Sequence, residues 1–314
     1  MRRVFRFLLT FLSIAVLIAV VLGHLGGYIF VLDMLAHFRL HLLLLCIPLS
    51  LVAALERNFR AAWNCFAAGI LALAGLGVLW EDPVRDIDGI DVTVMTANLY
   101  HGNDQPEEMK RVLLAADPDV LVTMETTKSV MTGENSLALR YPFRLSLSTT
   151  GQTLRTVIWS KFPMRDGRLL LEDRIEPTGA HAIIEVQPDV EFTVLGLHFA
   201  HNLHGNQKQQ IEALNVIAET LPTPRVIVGD FNATAWSHAL KRVEELTSTR
   251  RTGGFRITWR GVYPTVFGYV PAPMGLQIDH TLVTESIGVR SVDTLKIPGS
   301  DHLAERVQIV LPVL

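Results

Sequence analysis

Every long apolar run in this 314-residue chain lies before residue 81. Phe7 to Gly23 carries no ionisable side chain, and only His24 interrupts the run before Asp33. Leu42 to Leu55 is a second run, extended backwards by His41 and Leu40, and Ala61 to Trp80 is a third. A bilayer core takes about 20 apolar residues per helix, and roughly 17 at the least. The first and third runs meet that length, whereas the second is short and contains Pro48. The expectation is three spans at about 7–29, 40–55 and 61–80, a linker at 81–90 rich in acid groups, and a globular domain over 91–314.

The charges between the runs set an expected orientation. Arg2, Arg3 and Arg6 precede the first run, Arg57 and Arg60 separate the second from the third, and the first loop holds Arg39 alone. The positive-inside rule then puts the N-terminus and the second loop in the cytoplasm, and an odd number of spans puts everything after Trp80 outside it. This describes a multi-pass protein of a bacterial inner membrane with its globular domain in the periplasm. A cleavable signal peptide fits less well, because the first run exceeds the usual apolar core of such peptides and two more runs follow it. Both cysteines, Cys46 and Cys65, fall within the expected spans, so the globular part holds no thiol.

In that part, Val92–Asn98, Val120–Glu125, Leu154–Ser160, Ala180–Val186, Phe192–His198, Val226–Asp230, Ile278–Val283 and Ala304–Leu311 read as strands, rich in β-branched and apolar residues. Pro106–Ala116 reads as a helix opened by its proline, and Gln207–Thr220 as another, with Ile211, Leu214, Ile217 and Ala218 on one face. An excess of strands over helices implies an α/β fold of two packed sheets flanked by helices. Asp117 and Asp119 in DPD fit a helix-to-strand turn.

Several strands share an ending: an apolar run that stops at a residue able to touch a metal or a phosphate. The first stops at Asn98, DVLVTME at Glu125, FTVLGLH at His198 and VIVGDFN at Asp230 and Asn232; IDH (278–280) and SDH (300–302) complete the series. A carboxylate at the mouth of a sheet loses hydration energy unless something pairs with it. One such end is usually a turn, but six in one domain point to a site. Asp230 and Asn232 are two apart, so in extended chain they project to the same side.

This ordered set resembles the endonuclease/exonuclease/phosphatase superfamily, over essentially the whole of residues 91–314. The N-terminal runs, the stretch NATAWSHAL (232–240) and Gly254, Phe255 and Trp259 further resemble its bacterial membrane-anchored subgroup. The resemblance implies a four-layer α/β sandwich, with two mainly antiparallel sheets between helices, and Mg²⁺-dependent hydrolysis of a phosphodiester or phosphomonoester, with Mn²⁺ as a substitute. It implies that Glu125 and Asn98 hold the metal, with Asp301 as a further ligand, that Asp230 positions or deprotonates water, and that Asp279 orients His302. Asn232 and His198 would donate hydrogen bonds to phosphoryl oxygens. Tyr100 departs from the pattern, since some nucleases of the family carry an acidic residue there. No counterpart is evident for the mid-domain tyrosine or histidine that several members aim at the phosphate; Arg155 and His201 are the candidates for substrate contact.

A net charge of −3 supplies no basic field for long nucleic acid. A lipid head group, a nucleotide or a nucleic acid all stay open as substrates, with the bilayer as partner through the N-terminal helices and no protein partner expected. Two alternatives are an extracytoplasmic nuclease acting on DNA or RNA, and a non-catalytic membrane scaffold; a scaffold has no need of the complete residue set. A zinc reading of His198, His201 and His204 is weak, because Asn202 and Gly205 mark a loop and no HExxH or CxxC occurs. The aromatic and proline-rich stretch of Tyr263, Pro264, Phe267, Tyr269, Pro271 and Pro273 either covers the site or packs as a surface loop. His238 reads as a solvated helix start.

Overall fold

A computed structural model describes residues 1–80, 84–133, 135–146, 153–170, 178–201, 206–260 and 274–313. The chain forms two compact units: Met1–Glu81 together with Thr234–Lys241, and Asp82–Ala233 together with Arg242–Leu314.

The first unit is helical, with α1 (Arg2–His24), α2 (Asp33–His37), α3 (Arg39–Leu55) and α4 (Phe59–Ala74). Its interior is built from small side chains: Val16 and Val20 of α1 meet Cys46 of α3 and Cys65, Ala68 and Ala72 of α4, and such residues let helix backbones approach closely. Phe7, Phe11, Ile47, Leu51 and Trp63 instead point outwards. The three expected spans need correction. Among the described residues only α1 is long and apolar enough to cross a membrane; Phe30–His37 with α3 would make a second span, bent by 54°. The third run yields a helix of 16 residues that stops at Ala74, where Gly75 caps it and a 3-10 turn, Gly77–Trp80, follows. Glycine after a helix is a common stop signal.

The second unit carries β1 (Ile90–Asn98), α5 (Pro106–Ala116), β2 (Val120–Thr127), α6 (Leu137–Arg140), β3 (Phe143–Ser146), β4 (Thr153–Ser160), β5 (Met164–Leu170), β6 (Thr178–Gln187), β7 (Val190–His198), α7 (Gln207–Thr220) and β8 (Arg225–Asp230). After α8 (His238–Thr247), which begins in the first unit, come β9 (Arg250–Arg251), β10 (Asp279–Val283), β11 (Gly288–Lys296) and β12 (Leu303–Leu311). They make two six-stranded sheets, ordered β11-β12-β1-β2-β4-β3 and β5-β6-β7-β8-β10-β9. Each has one parallel pair, β1·β2 and β7·β8, and is otherwise antiparallel. The parallel pairs are those joined by α5 and α7, since a parallel crossover needs a long connection.

The sheets pack face to face through Val92, Val94, Val122 and Ile158 on one side and Ala182, Phe192, Val194 and Val228 on the other. Met109 and Leu113 of α5 cover the outer face of the first sheet on Met95, Leu121 and Trp159. α7 buries Ile211, Leu214 and Ala218. The DPD turn caps α5, with Asp117 in the left-handed region and paired to Arg140 at 2.6 Å. Register then brings chemistry to one edge: His198 lies opposite Asp230 on parallel strands, and Asp230 opposite Asp279 on antiparallel ones.

Candidate active site

Asn98 joins the two sheets at this edge. Its side-chain amide donates to Glu125 Oε1 at 3.0 Å and to Asp230 Oδ2 at 3.2 Å. Asn98 and Asp230 are buried and Glu125 is half-buried. Burial favours neutral Glu125, but the His101 amide and imidazole and the Asn98 amide outweigh it and hold the carboxyl down at about 2. His101, which the strand-end pattern passes over, donates its backbone N–H to Glu125 Oε2 at 3.0 Å and sets Nδ1 at 2.6 Å from the same oxygen. Its position in the turn just after Asn98 was the available signal.

Asp230 sits in the opposite environment. Burial, reinforced by the charge of Asp279, pushes its carboxyl up to about 6, against the pull of His302 and His198. His302 Nε2 lies 3.8 Å from Asp230 Oδ2, and His302 Nδ1 lies 2.8 Å from Asp279 Oδ2. Burial alone would lower the imidazole; Asp279 and Asp230 override it and hold His302 well above its ordinary value. His198 Nε2 stands 3.7 Å from Asp230 Oδ2 and 4.0 Å from Glu125 Oε1. The site thus pairs a carboxylate tuned to stay ionised with one poised to exchange a proton beside a cationic imidazole.

The backbone bends sharply to present these groups. Tyr100, Glu125, Arg155 and Asn232 have φ of 59°, 49°, 57° and 48°, a region that costs non-glycine residues on the order of 1 kcal/mol or more each and clusters at functional sites. Glu125 falls where the β2–β4 register slips between Thr123 and Thr126. Asn232 gives its backbone N–H to Asp230 Oδ1 at 2.9 Å and its side-chain amide to the carbonyl of Phe199 at 2.9 Å. Gly229 has φ 145°, and a Cβ there would lie 1.9 Å from the Leu197 carbonyl oxygen, so no other residue fits before Asp230. Ser300 ties the SDH segment to β1 by donating its hydroxyl to the Asn98 carbonyl at 2.8 Å.

The remaining expected residues lie around this centre. Asp301 Oδ2 accepts the Trp259 indole N–H at 2.9 Å, and its charge helps raise His302. Arg155 is exposed and sits opposite Thr126, next to Glu125. His201 is half-buried. Asn202, His204 and Gly205, and the stretch of Tyr263, Pro264, Phe267, Tyr269, Pro271 and Pro273, lie outside the described residues.

Two groups of donors are available to a cation. Atoms of Asp230, Asp279 and His302 lie within 4.8 Å of one another, all buried, and Asp279 Oδ1 has no hydrogen-bond partner among the described residues. Asp279 and Asp230 raise the His302 imidazole toward its protonated form, so a cation at this group competes with that proton. Glu125 is the better seat: its oxygens are ionised, half-exposed and of the hard type that Mg²⁺ or Mn²⁺ prefers.

The endonuclease/exonuclease/phosphatase family model matches residues 95–302, which take in every residue of this edge. No curated protein matches the chain. Among solved structures, an endonuclease/exonuclease/phosphatase from Bacteroides vulgatus superposes with a TM-score of 0.58 at 18% identity, over 71% of this chain and 100% of its own. The 3′ phosphatase NExo from Neisseria, bound to a product DNA hairpin, gives 0.52 at 16% identity, over 69% and 98%. Sphingomyelinase C from Streptomyces griseocarneus gives 0.51 at 14% identity, over 70% and 99%. At these identities the likeness is one of fold.

Proposed function

Because the chain belongs to the endonuclease/exonuclease/phosphatase family, whose members hydrolyse phosphoric ester bonds, we propose that it is a membrane-anchored, Mg²⁺-dependent phosphodiesterase acting on a small or lipid phosphodiester. The observation that carries this reading is the single Asn98 amide shared by Glu125 and Asp230, which brings together a carboxylate suited to holding a cation and one suited to accepting a proton. Glu125 and the Asn98 amide bonded to it, with Asp301 proposed as a further ligand, would hold the cation, which would neutralise phosphate charge and favour departure of the leaving oxygen. Asp230 takes the proton from the attacking water, a role suited to a carboxyl raised to about 6. His302, kept cationic by Asp279, and His198 donate to the phosphoryl oxygens as charge develops there. The Asn232 amide, anchored to Phe199, orients Asp230 through its backbone N–H. Arg155 and His201 are the groups proposed to meet the rest of the substrate.

The fold does not choose the substrate, since a sphingomyelinase and a DNA 3′ phosphatase share it. The net charge of −3 and the apolar α1 favour a small or lipid diester over duplex DNA. The test offers phosphatidylinositol, sphingomyelin, nucleotides and duplex DNA to detergent-solubilised full-length protein with Mg²⁺. Turnover of a lipid or small diester is expected, and turnover of duplex DNA alone would contradict the proposal. We propose a bacterial inner-membrane location with the globular part in the periplasm, the outcome of a single span, α1, behind Arg2, Arg3 and Arg6; a periplasm-active reporter fused after Leu314 is expected to be active, and its silence would overturn that orientation.

A further inference from the structure

The helical unit contains charged groups that an apolar anchor does not need. Asp33 is fully buried, and its two oxygens accept the backbone N–H groups of His238 and Ala239, each at 2.9 Å. These are the first residues of α8. Helix starts leave four N–H groups without partners inside the helix. Ser237 satisfies that of Leu240 through its hydroxyl at 3.1 Å, and Asp33, some 200 residues away in sequence, satisfies two more. A carboxylate there also meets the positive end of the helix dipole.

Two further bonds hold the same segment. The Trp236 indole, buried, donates to the Ala36 carbonyl at 2.7 Å. Arg39, 4% exposed, reaches the Trp236 carbonyl at 3.3 Å and the Gly75 carbonyl at 3.0 Å with one guanidinium nitrogen. The surrounding glycines make room: a Cβ on Gly26 would lie 2.8 Å from Asp33, one on Gly27 3.0 Å from His238, and one on Gly75 2.5 Å from Arg39. Thr234–Lys241 accordingly belongs to the same compact unit as Met1–Glu81. A buried carboxylate and guanidinium cost several kcal/mol each unless well paired, so this clamp is not incidental to an apolar bundle.

The clamped segment is the direct continuation of GDFN: only Ala233 separates Asn232 from Thr234. Asn232 is held in the left-handed region and orients Asp230. We infer that Asp33 and Trp236 are positioning residues for the hydrolytic reaction: the N-terminal helices fix the chain that leaves Asn232 and so hold the Asp230–Asn232 turn in its working conformation.

The inference rests on the hydrolytic reading, and the experiment separates the two. Full-length Asp33→Ala, Asp33→Asn, Trp236→Phe and Cys65→Ala are compared with wild type in detergent on bis(p-nitrophenyl) phosphate, alongside backbone amide exchange at Phe231 and Asn232. Asp33→Ala is expected to lose about tenfold in kcat with KM within about twofold, the pattern of a group misplaced in the transition state. Asp33→Asn, which keeps one acceptor oxygen, is expected to recover most of that loss. Cys65→Ala loosens the helix interior without touching the clamp, and its kcat is expected to stay at the wild-type value. Amide exchange at Phe231 and Asn232 is expected to quicken in Asp33→Ala and stay unchanged in Cys65→Ala.

An unchanged kcat in Asp33→Ala, or an equal loss in Cys65→Ala, overturns the inference. If Asp33→Ala does not fold, Trp236→Phe, which removes one hydrogen bond, decides by the same kcat and exchange criteria. If wild type turns over no phosphodiester, the hydrolytic reading fails, and amide exchange alone decides whether the clamp holds the turn.

Discussion

The imidazole Nδ1 of His302 lies 2.8 Å from Asp279 Oδ2, with both side chains buried. Asp279 also stands opposite Asp230 across the β8–β10 ladder. One charge thus raises two groups at once: the His302 imidazole and the Asp230 carboxyl.

A pH prediction follows from that shared dependence. Under the proposed mechanism activity requires Asp230 without its proton and His302 with it, so the rate is expected to rise with pH as Asp230 ionises and to fall as His302 deprotonates. Asp279→Asn removes the negative charge, which lowers both pKa values. Both limbs of the kcat/KM profile are expected to move to lower pH, with the alkaline limb moving further because His302 also loses its hydrogen-bonded carboxylate. An alkaline limb that stays in place would show that Asp279 does not act through His302.

Gly229 tests the backbone at the same strand end. Its φ is 145°, and a methyl carbon added there would come within 1.9 Å of the Leu197 carbonyl oxygen, so any side chain must push β7 and β8 apart. Gly229→Ala is expected to destabilise the protein by about 2 kcal/mol or more, read as a fall in thermal midpoint, and to lower activity because His198 and Asp230 lie on the strands displaced. A wild-type midpoint would contradict the close approach.

Glu305 gives a stability prediction. It is buried on β12, and burial pushes its carboxyl up to about 7 from an ordinary 4.5, against the opposing pull of Arg256. Between those values the folded protein keeps a proton that the unfolded chain has released, so stability falls as pH rises from about 4.5 through 7, by on the order of 3 kcal/mol. Glu305→Gln cannot ionise, and its unfolding free energy is expected to lose that slope in denaturant titrations at pH 5 and pH 8. An unchanged slope would rule Glu305 out as its source.

The central strands were legible because sheet faces covered on both sides leave near-continuous apolar runs, as in VLVTM and VIVG, and because each run stops where the core stops. The strands that the sequence did not announce are β3, β5, β9 and β11, and all four are sheet edges. Edge strands carry charge to discourage pairing with other chains, and MRDGRLL of β5 is charged and largely exposed. At the site, the residues ending apolar strands were visible, whereas His101 was not, because a histidine in a polar turn has no pattern to break. Asp33 and Arg39 could be read only as loop charges; that they bind a segment some 200 residues away is set by tertiary contact. The third apolar run misled for a local reason, since composition does not register the helix stop at Gly75.

The measurement closest to the central claim is hydrolysis of bis(p-nitrophenyl) phosphate by full-length wild type and Asp230→Ala, each with Mg²⁺ and with EDTA. Wild type with Mg²⁺ is expected to turn over, and either chelation or loss of the Asp230 carboxylate is expected to cut kcat by roughly 10²-fold or more. Asp230→Ala matching wild type, or wild type unaffected by EDTA, would contradict metal-assisted hydrolysis at the edge where Asn98 joins Glu125 to Asp230.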